Sequence, residues 1–359
     1  MDGRDAWVDI DEGALRHNLR ALRAALGTSV RIYLCVKMNA YGFGSDWVAP
    51  IAAQEGMDGF ACCDALDAAR VRAASVDLPI LLYPGKIAAS LLELAQPGMI
   101  LTAHDASSLD QCVQRQLPFY LKIDSGFGRL GFAAERPQDI LERITDPGRC
   151  RLIGAYAHFS DQLNPAAVAR QGQSFQLCVD ALEAGMGRTL ERNVGASRVL
   201  ITDPAWALNA VNPGGLVYGL YGALGAHRLR PVLTAVKARV IALRHMAAGT
   251  TSGYAGKIYE RDSVIAIVPI GYSDGLPRVQ ESGQALLRGH RLPIVGPRHA
   301  EYTMMDATDI ADVQIGDEAV FVGSQGGHDI TLSELTTGTD LTETDLLQRL
   351  ARHPHRHLI

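Results

Sequence analysis

Residues 32–44 read IYLCVKMNAYGFG, an apolar run that ends in a lysine and passes into a glycine-rich turn. The run Ile32–Val36 is typical of a buried strand of a parallel sheet. Lys37 follows it directly, and in a (β/α)8 barrel the carboxyl ends of the strands carry the chemistry. A lysine that loses contact with water there has a lowered pKa, which suits a Schiff base or a general base. A lysine that extends its ammonium group to solvent is the structural alternative.

The alternation of short apolar runs and longer helical patterns continues to about residue 220. Amphipathic segments such as Asp11–Leu26 and Ala65–Ala74 separate the apolar runs. Eight strands with intervening helices predict an α/β fold, a (β/α)8 TIM-type barrel. A doubly wound sheet is the alternative, and the strand count favours the barrel. The strand candidates are Ile32–Val36, Gly59–Cys62, Ile80–Leu82, Met99–Leu101, Phe119–Ile123, Leu152–Ala157, Arg198–Ile201 and Gly215–Val217.

After residue 230 the pattern changes to short β-rich runs broken by Gly, Pro and Asp, which predicts a C-terminal all-β domain. We place the barrel domain at residues 1–228 and the β-rich domain at residues 229–359, with Ala226–Arg230 as the linker. As an alternative to this boundary, the first ~10 residues belong to the β domain. The β-rich runs are Pro231–Leu243, Ser263–Ile270, Gln284–Leu287, Arg291–Ile294, Glu318–Val322 and Asp329–Thr331.

Composition excludes several classes of function. A formal charge of −5 provides no basic field for nucleic acid, and no apolar run approaches the ~20 residues of a membrane helix. The N-terminus lacks an apolar signal region, which predicts a cytoplasmic protein. All six cysteines are expected to be reduced core thiols, and no zinc spacing predicts a metal site. The basic tail Arg352–His357 is expected to be a solvated terminus.

Other predicted strand ends also carry polar residues. Lys122, Asp124 and Arg129 follow the fifth candidate strand within one glycine-rich turn, and we expect them to form one charged network. His158 ends the sixth strand. Before the eighth, Asn212-Pro213-Gly214-Gly215 offers backbone N–H groups to an anion, in the region where barrels commonly bind phosphate. A lysine and a phosphate site in one barrel indicate a phosphorylated carbonyl cofactor, of which pyridoxal phosphate is the obvious one.

Together these segments resemble the alanine racemase family, a class of pyridoxal phosphate enzymes built from a barrel and a β domain. Val36–Gly44 (VKMNAYGFG) is similar to the family's cofactor-lysine motif, and Leu121–Gly131 (LKIDSGFGRLG) to its second signature. Ala157–Phe159 matches a third block, and Val268–Arg278 (VPIGYSDGLPR) is the most specific stretch of the β domain. The resemblance covers nearly the whole chain in order. It implies pyridoxal 5'-phosphate as cofactor and amino-acid racemisation as activity.

The resemblance also implies roles for residues around the cofactor. Lys37 would bind it covalently, and Tyr41 would contact its phosphate. Arg129 would reach the ring hydroxyl and the substrate carboxylate. Lys122 falls where many members carry a carbamylated lysine that orients this arginine. The implied cofactor contacts are Lys37, Tyr41, His158, Thr202, Asn212, Gly214, Gly215 and Tyr218.

Racemisation removes a proton on one face of the substrate and returns one on the other, so it needs two bases. The resemblance implies Lys37 as one base and Tyr254, supplied by a partner subunit, as the other. Met305 and Asp306 would also cross the subunit interface and contact the substrate, and Tyr272 would help to close the entrance. The implied assembly is a homodimer with shared active sites that takes a small amino acid as substrate.

The chain departs from the family pattern at several positions. Asn212 stands where members usually have an arginine facing the pyridine nitrogen, and we expect the loss of that charge to favour protonation of the nitrogen. Thr202 lies near the usual Asn-Ser phosphate ligands, which are not evident, and Glu301–Met304 expands the block before Met305. The substrate is therefore left open between alanine and another small amino acid.

Two other functions stay open. The first is a pyridoxal-phosphate-dependent aldolase, decarboxylase or transaminase on the same fold, which Asn212 and the remodelled entrance would suit. The second is a non-catalytic protein that binds pyridoxal phosphate. Retention of both Lys37 and Tyr254 favours racemisation over the second, because binding needs only the lysine.

Overall fold

The computed structural model describes residues 3–86, 90, 93–254, 257–278 and 283–359. The chain divides into two compact units, Leu15–Arg230 and Met1–Ala14 with Pro231–Ile359. Among the described residues, no helix combines the length and apolarity needed to cross a membrane.

The first unit is a closed barrel of eight parallel strands, which confirms the predicted fold class. The last strand pairs with the first through Ala210–Arg31 and Val211–Ile32, and this pairing closes the barrel. Because all the strands run parallel, their carboxyl ends form one rim. The barrel strands are Arg31–Cys35, Gly59–Cys62, Ile80–Leu82, Met99–Ala103, Phe119–Asp124, Leu152–Tyr156, Glu191–Gly195 and Ala210–Val211.

The seventh and eighth strands differ from their predicted positions. Arg198–Ile201 lies in the helix Ser197–Thr202, and Gly215–Val217 lies in the 3-10 helix Gly215–Tyr218. The seventh strand is instead Glu191–Gly195. It begins with charged residues because Glu191 pairs with Arg31 and accepts a hydrogen bond from Tyr33 at the end of the barrel where these strands begin. This polar composition hides the strand from a reading based on apolar runs.

Helices cover the outside of the barrel in the usual alternation. Several begin at a side-chain cap, as Asp105 shows by accepting a hydrogen bond from Ser108 N (2.7 Å). The helices are Glu12–Leu26, Ser45–Gln54, Ala65–Ala73, Ala106–Gln114, Gln138–Leu141, Pro165–Met186, Ser197–Thr202 and the 3-10 turns Pro204–Ala207 and Gly215–Tyr218. Short strands lie at Phe132–Ala133, Ala223–Leu224 and His227–Arg228.

The second unit is rich in strands, and its described residues include the helices Leu332–Thr336 and Glu343–Leu350 and the 3-10 turn Tyr272–Asp274. Its larger sheet places Ala6–Ile10 between Leu233–Arg239 and Arg356–Leu358. That sheet continues through Glu318–Gln325, Gln284–Leu287 and His290–Pro293, with His328–Ile330 beside it. A second sheet contains Ala242–Met246, Ser263–Val268 and Thr303–Asp306, and Thr251–Ser252 pairs with Lys257–Ile258.

Two expectations about side-chain burial are wrong in part. In the C-terminal tail Arg356–Leu358 forms a strand whose residues are exposed, whereas His353, before the strand, is buried, with its Nε2 3.6 Å from an oxygen of Asp274. Asp274 also pairs with Arg4, so the two ends of the chain meet at this carboxylate. Among the cysteines, Cys63 is exposed while the other five are buried. It directly follows the strand Gly59–Cys62, where the chain leaves the core.

Candidate active site

The chain turns with a left-handed backbone directly after Lys37. Met38, Asn39, Ala40 and Tyr41 have φ values of 55°, 58°, 53° and 55°. This conformation costs residues other than glycine roughly 1–2 kcal/mol each. The two following helices hold the turn, because the Asp67 side chain accepts a hydrogen bond from Asn39 N (2.8 Å) and the backbone N–H of Ser45 donates to Asn39 Oδ1 (2.8 Å). As a result Lys37 Nζ lies 5.6 Å from the centre of the Tyr41 ring.

Tyr41 lies against the glycine pair before the 3-10 turn. A Cβ added at Gly214 would stand 2.1 Å from Tyr41 Oη, so only glycine allows this approach. Ser197 Oγ accepts hydrogen bonds from Gly214 N (2.9 Å) and Leu216 N (3.3 Å). The hydroxyl groups of Tyr41 and Ser197 therefore both lie beside Gly214, and their protons can be donated to a phosphate group, whereas the N–H groups of Gly214 and Leu216 are used on Ser197 Oγ.

Tyr218 supplies an unsatisfied polar atom close to this set. Its side chain is buried, and its hydroxyl has no hydrogen-bond partner among the described residues. The ring stacks on Phe43 at 4.7 Å and lies 5.3 Å from Tyr41. Burial holds the pKa of both tyrosines well above the usual value, so both hydroxyls keep their protons as donors. A buried hydroxyl without a partner fits a site that accommodates a polar ligand.

Thr202 is not available for the phosphate contact expected of it. Its Oγ1 lies 2.9 Å from Arg198 O and 3.1 Å from Gln162 O, so its proton is used on backbone carbonyls. Ser197, five residues earlier at the start of the same helix, has the hydroxyl that meets Gly214. Ser197 is not among the predicted site residues because its neighbours Arg198–Ile201 are predicted as a strand. The pair Ala196-Ser197, 17 residues before Gly214, is the signal that could have revealed it, because it keeps the serine of the usual Asn-Ser pair.

His158 is a neutral imidazole surrounded by cations. Burial first, and then the charges of Lys122, Arg129 and Lys37, lower its pKa to about 4. Gln162 Nε2 lies 3.0 Å from His158 Nε2 and, as a donor, leaves the ring proton on Nδ1. The charges of Lys122, Arg129 and Lys37 therefore all act on His158, in agreement with the prediction that these strand-end residues lie at one rim of the barrel.

Lys122 is buried, with 6% of its surface exposed, and burial lowers the pKa of its ammonium to about 8. Its Nζ lies 4.9 Å from the centre of the Tyr156 ring. Because this pKa is close to neutrality, part of the lysine population carries a free amine at physiological pH.

The expected network of Lys122, Asp124 and Arg129 takes a different form. Asp124 accepts hydrogen bonds from the backbone N–H groups of Gly126, Phe127 and Gly128, at 2.8 to 3.1 Å. Burial raises the pKa of Asp124, but these hydrogen bonds outweigh it and the pKa is lowered. The carboxylate therefore shapes the loop, and Arg129 is exposed with its guanidinium 4.3 Å from the centre of the Phe127 ring.

Asn212 lies at the end of the eighth strand and is joined to another predicted strand end. Its Nδ2 donates to Tyr83 Oη at 2.6 Å, and the Tyr83 ring lies 5.6 Å from that of Tyr156. Burial holds the pKa of Tyr83 well above its usual value, so the phenol is neutral. The amide therefore brings no charge to this part of the rim.

The second unit contains the other predicted site residues. Tyr254 is 81% exposed, and its ring packs edge-on against His299 at 4.7 Å. Tyr272 is 42% exposed in a short 3-10 turn. Met305 is fully buried in the strand Thr303–Asp306, and Asp306 Oδ1 accepts from Thr308 N (3.1 Å). Among the described residues, no group of His, Cys, Asp and Glu side chains is arranged to hold a metal ion.

A barrel with a lysine beside a phosphate-type donor set defines an enzyme of the pyridoxal phosphate class. Family models for the N-terminal and C-terminal domains of alanine racemase match residues 10–222 and 233–358. Alanine racemase from Sorangium cellulosum strain So ce56 is 32% identical over 343 residues, which cover 90% of each chain.

Solved structures agree with these matches. The crystal structure of alanine racemase from E. faecalis is 25% identical with a TM-score of 0.89, and the match covers 99% of this chain and 98% of that one. The structure from Bartonella henselae with covalently bound pyridoxal phosphate has a TM-score of 0.87 at 24% identity over 100% of both chains. The chain belongs to the alanine racemase family, the pyridoxal-phosphate-dependent amino-acid racemases, and the predicted family and cofactor are confirmed.

Proposed function

We propose that this protein interconverts L- and D-alanine by a two-base reaction in which Lys37 and Tyr254 act on opposite faces of the substrate. The observation that carries the proposal is the placement of Lys37 Nζ beside Tyr41, whose hydroxyl meets the Gly214–Ser197 donor set. Pyridoxal phosphate, when bound, withdraws electrons from the Cα–H bond of an attached amino acid.

The barrel residues divide between holding the cofactor and orienting the substrate. Tyr41, Ser197, Tyr218 and the N–H group of Gly215 would bind the phosphate, and Gly214, whose N–H is held by Ser197 Oγ, would leave room for Tyr41. Their support is the buried hydroxyls and the closely packed glycine described above.

Three further barrel residues would meet the ring and the substrate. His158 would pack near the pyridine ring as a neutral group, and Asn212 would face the ring nitrogen. Arg129 would bind the substrate carboxylate, which its exposed guanidinium leaves it free to do.

Lys122 is proposed to be carbamylated. Its amine would form an N–C bond with CO2 and release a proton, which yields a carbamate anion able to pair with Arg129. The lowered pKa supports this step, because only the neutral amine attacks CO2. The carbamate would replace a buried cation by a partner for the arginine.

We infer a cytoplasmic homodimer in which Tyr254 of one subunit serves the barrel of the other, with Tyr272, Met305 and Asp306 at the shared entrance. The high exposure of Tyr254 supports this arrangement, because a base must be shielded from water to act efficiently. Mixing inactive Lys37→Ala and Tyr254→Phe proteins tests it. A mixed dimer contains one site with both native residues, so activity is expected to return. Failure of properly mixed dimers to regain activity would place both bases in one chain.

The reaction itself is tested by incubating the holoenzyme with L-alanine in D2O. The α-proton signal should disappear while D-alanine accumulates. Tyr254→Phe should keep cofactor absorbance yet lose racemisation by about 10²–10⁴-fold, the usual contribution of a general acid or base. Exchange without inversion, or Cα–Cβ cleavage that survives in Tyr254→Phe, would instead identify another reaction of the same cofactor.

A further inference from the structure

In the second unit, the segment 297–302 (PRHAEY) is joined by backbone hydrogen bonds to the turn that contains Tyr272. Tyr272 N donates to His299 O at 3.0 Å, and Ser273 N donates to Ala300 O at 2.9 Å. A Cβ added at Gly271 would stand 2.2 Å from His299 O, so the two backbones are in direct contact. His299 N in turn donates to Tyr302 O at 2.9 Å. The backbone N–H and C=O of His299 are therefore both hydrogen-bonded, which fixes the position of its backbone.

The side chain of His299 projects from this held backbone onto Tyr254. The two rings meet edge-on, with centroids 4.7 Å apart and an interplanar angle of 60°. Within the described part of the chain, Tyr254 makes no hydrogen bond through its hydroxyl, and His299 supplies its ring contact. His299 Nε2 is buried and has no hydrogen-bond partner among the described residues. The imidazole thus acts here as an aromatic surface rather than as a polar group.

We propose that His299 is a positioning residue for Tyr254, and this inference rests on the proposed role of Tyr254 as a base. A tyrosine that is 81% exposed can adopt several rotamers, and only some of them direct its hydroxyl toward a substrate. An edge-on ring on a fixed backbone restricts that choice. Because the same backbone carries the carbonyl that binds Tyr272 N, the segment 297–302 sets the positions of both tyrosines together.

The proton balance of the reaction defines what His299 influences. Tyr254 Oη takes the α-proton of one enantiomer while Lys37 Nζ returns a proton on the other face, and in the reverse direction the roles exchange. His299 touches only the tyrosine, so its effect should be confined to the proton transfers at Oη. Cofactor binding, which depends on the barrel, should not change.

The test compares His299→Ala with His299→Phe in the holoenzyme. The alanine variant removes the ring contact, and kcat should fall about two- to tenfold with KM unchanged, the range expected for one aromatic pair. The phenylalanine variant keeps the ring and removes the unpartnered nitrogen, so it should retain activity. His328→Ala, an exposed histidine in the same unit, is the matched control and should behave like the wild type.

The decisive measurement is the α-deuterium isotope effect on kcat in each direction. For His299→Ala it should rise for the enantiomer whose proton goes to Tyr254, and it should not rise for the other, whose proton goes to Lys37. Equal loss in His299→Ala and His299→Phe, or isotope effects unchanged in both directions, would overturn the inference. Tyr254→Phe measured in parallel separates the two claims. If that variant racemises normally, the proposed base is wrong, whereas if it is inactive and His299→Ala is normal, only the positioning role fails.

Discussion

The substitution Gly214→Ala should weaken binding of pyridoxal phosphate, because the added methyl group would displace Tyr41. The new Cβ would stand 2.1 Å from Tyr41 Oη, 2.7 Å from Cζ and 2.9 Å from Cε2, distances that real Cβ atoms do not reach. Tyr41 has little room to withdraw, because it is buried beside Tyr218, which stacks on Phe43. Overpacking of this kind costs about 1–3 kcal/mol. If the displaced hydroxyl also leaves the phosphate, the lost hydrogen bond to a charged group costs roughly a further 1–3 kcal/mol, and affinity for pyridoxal phosphate falls by roughly 5- to 150-fold.

Fluorescence titration of the apoprotein with pyridoxal phosphate measures this loss, and thermal unfolding of the apoprotein measures the strain alone. Gly215→Ala, whose Cβ would lie 3.0 Å from Leu220 Cδ1, should show a smaller loss of affinity. Gly148→Ala, whose Cβ would lie 3.4 Å from Asp146 Oδ1, should bind pyridoxal phosphate with the affinity of the wild type. Combining Gly214→Ala with Tyr41→Phe should recover part of the unfolding temperature because the hydroxyl is gone. Wild-type affinity in Gly214→Ala would refute the assignment of this cradle.

Three further changes probe separate parts of the barrel. Ser197→Ala leaves Gly214 N and Leu216 N without their acceptor and should weaken binding of pyridoxal phosphate by roughly 5- to 150-fold in the same titration, while Thr202→Val stays close to wild type. The folded pKa of His158, about 4, lies below the unfolded value of 6.5, so the unfolded chain binds the proton first. The apoprotein should therefore lose up to about 3 kcal/mol of unfolding free energy as the pH falls from 6.5 to 4, and His158→Gln should remove this dependence in denaturant titrations. Asn212→Arg should weaken a long-wavelength absorbance band that the wild type develops with substrate, and the absence of such a band in both proteins would count against protonation of the ring nitrogen.

The sequence predicts six barrel strands at nearly their true positions because each is a short apolar run. The last two depend on contacts that no local pattern contains. Glu191–Gly195 begins with Glu-Arg-Asn because Glu191 and Arg192 pair with charged groups of neighbouring elements. Arg198–Ile201 resembles a strand in composition, yet it forms a helix packed against its neighbours. Tertiary packing overrides local preference in both segments.

Some residues of the site can also be predicted from the sequence, whereas others depend on contacts made only in the folded protein. Lys37 and the glycine pair follow from strand ends and glycine placement, Tyr41 follows from the family resemblance, and the structure groups them. Ser197 depends on which face of a six-residue helix meets Gly214, and the sequence does not contain that information. Likewise, His299 lies 45 residues from Tyr254 in the chain, so only the folded second unit shows their contact.

The left-handed turn after Lys37 sets an order of events in the maturation of the protein. Four residues in this conformation cost roughly 4–8 kcal/mol together, which is comparable to the net stability of a whole domain. An unfolded chain does not form the turn by itself, because it depends on Ser45 and Asp67 from two helices that must already be packed. We therefore expect the barrel to fold before it binds the cofactor, so that the apoprotein already contains the turn.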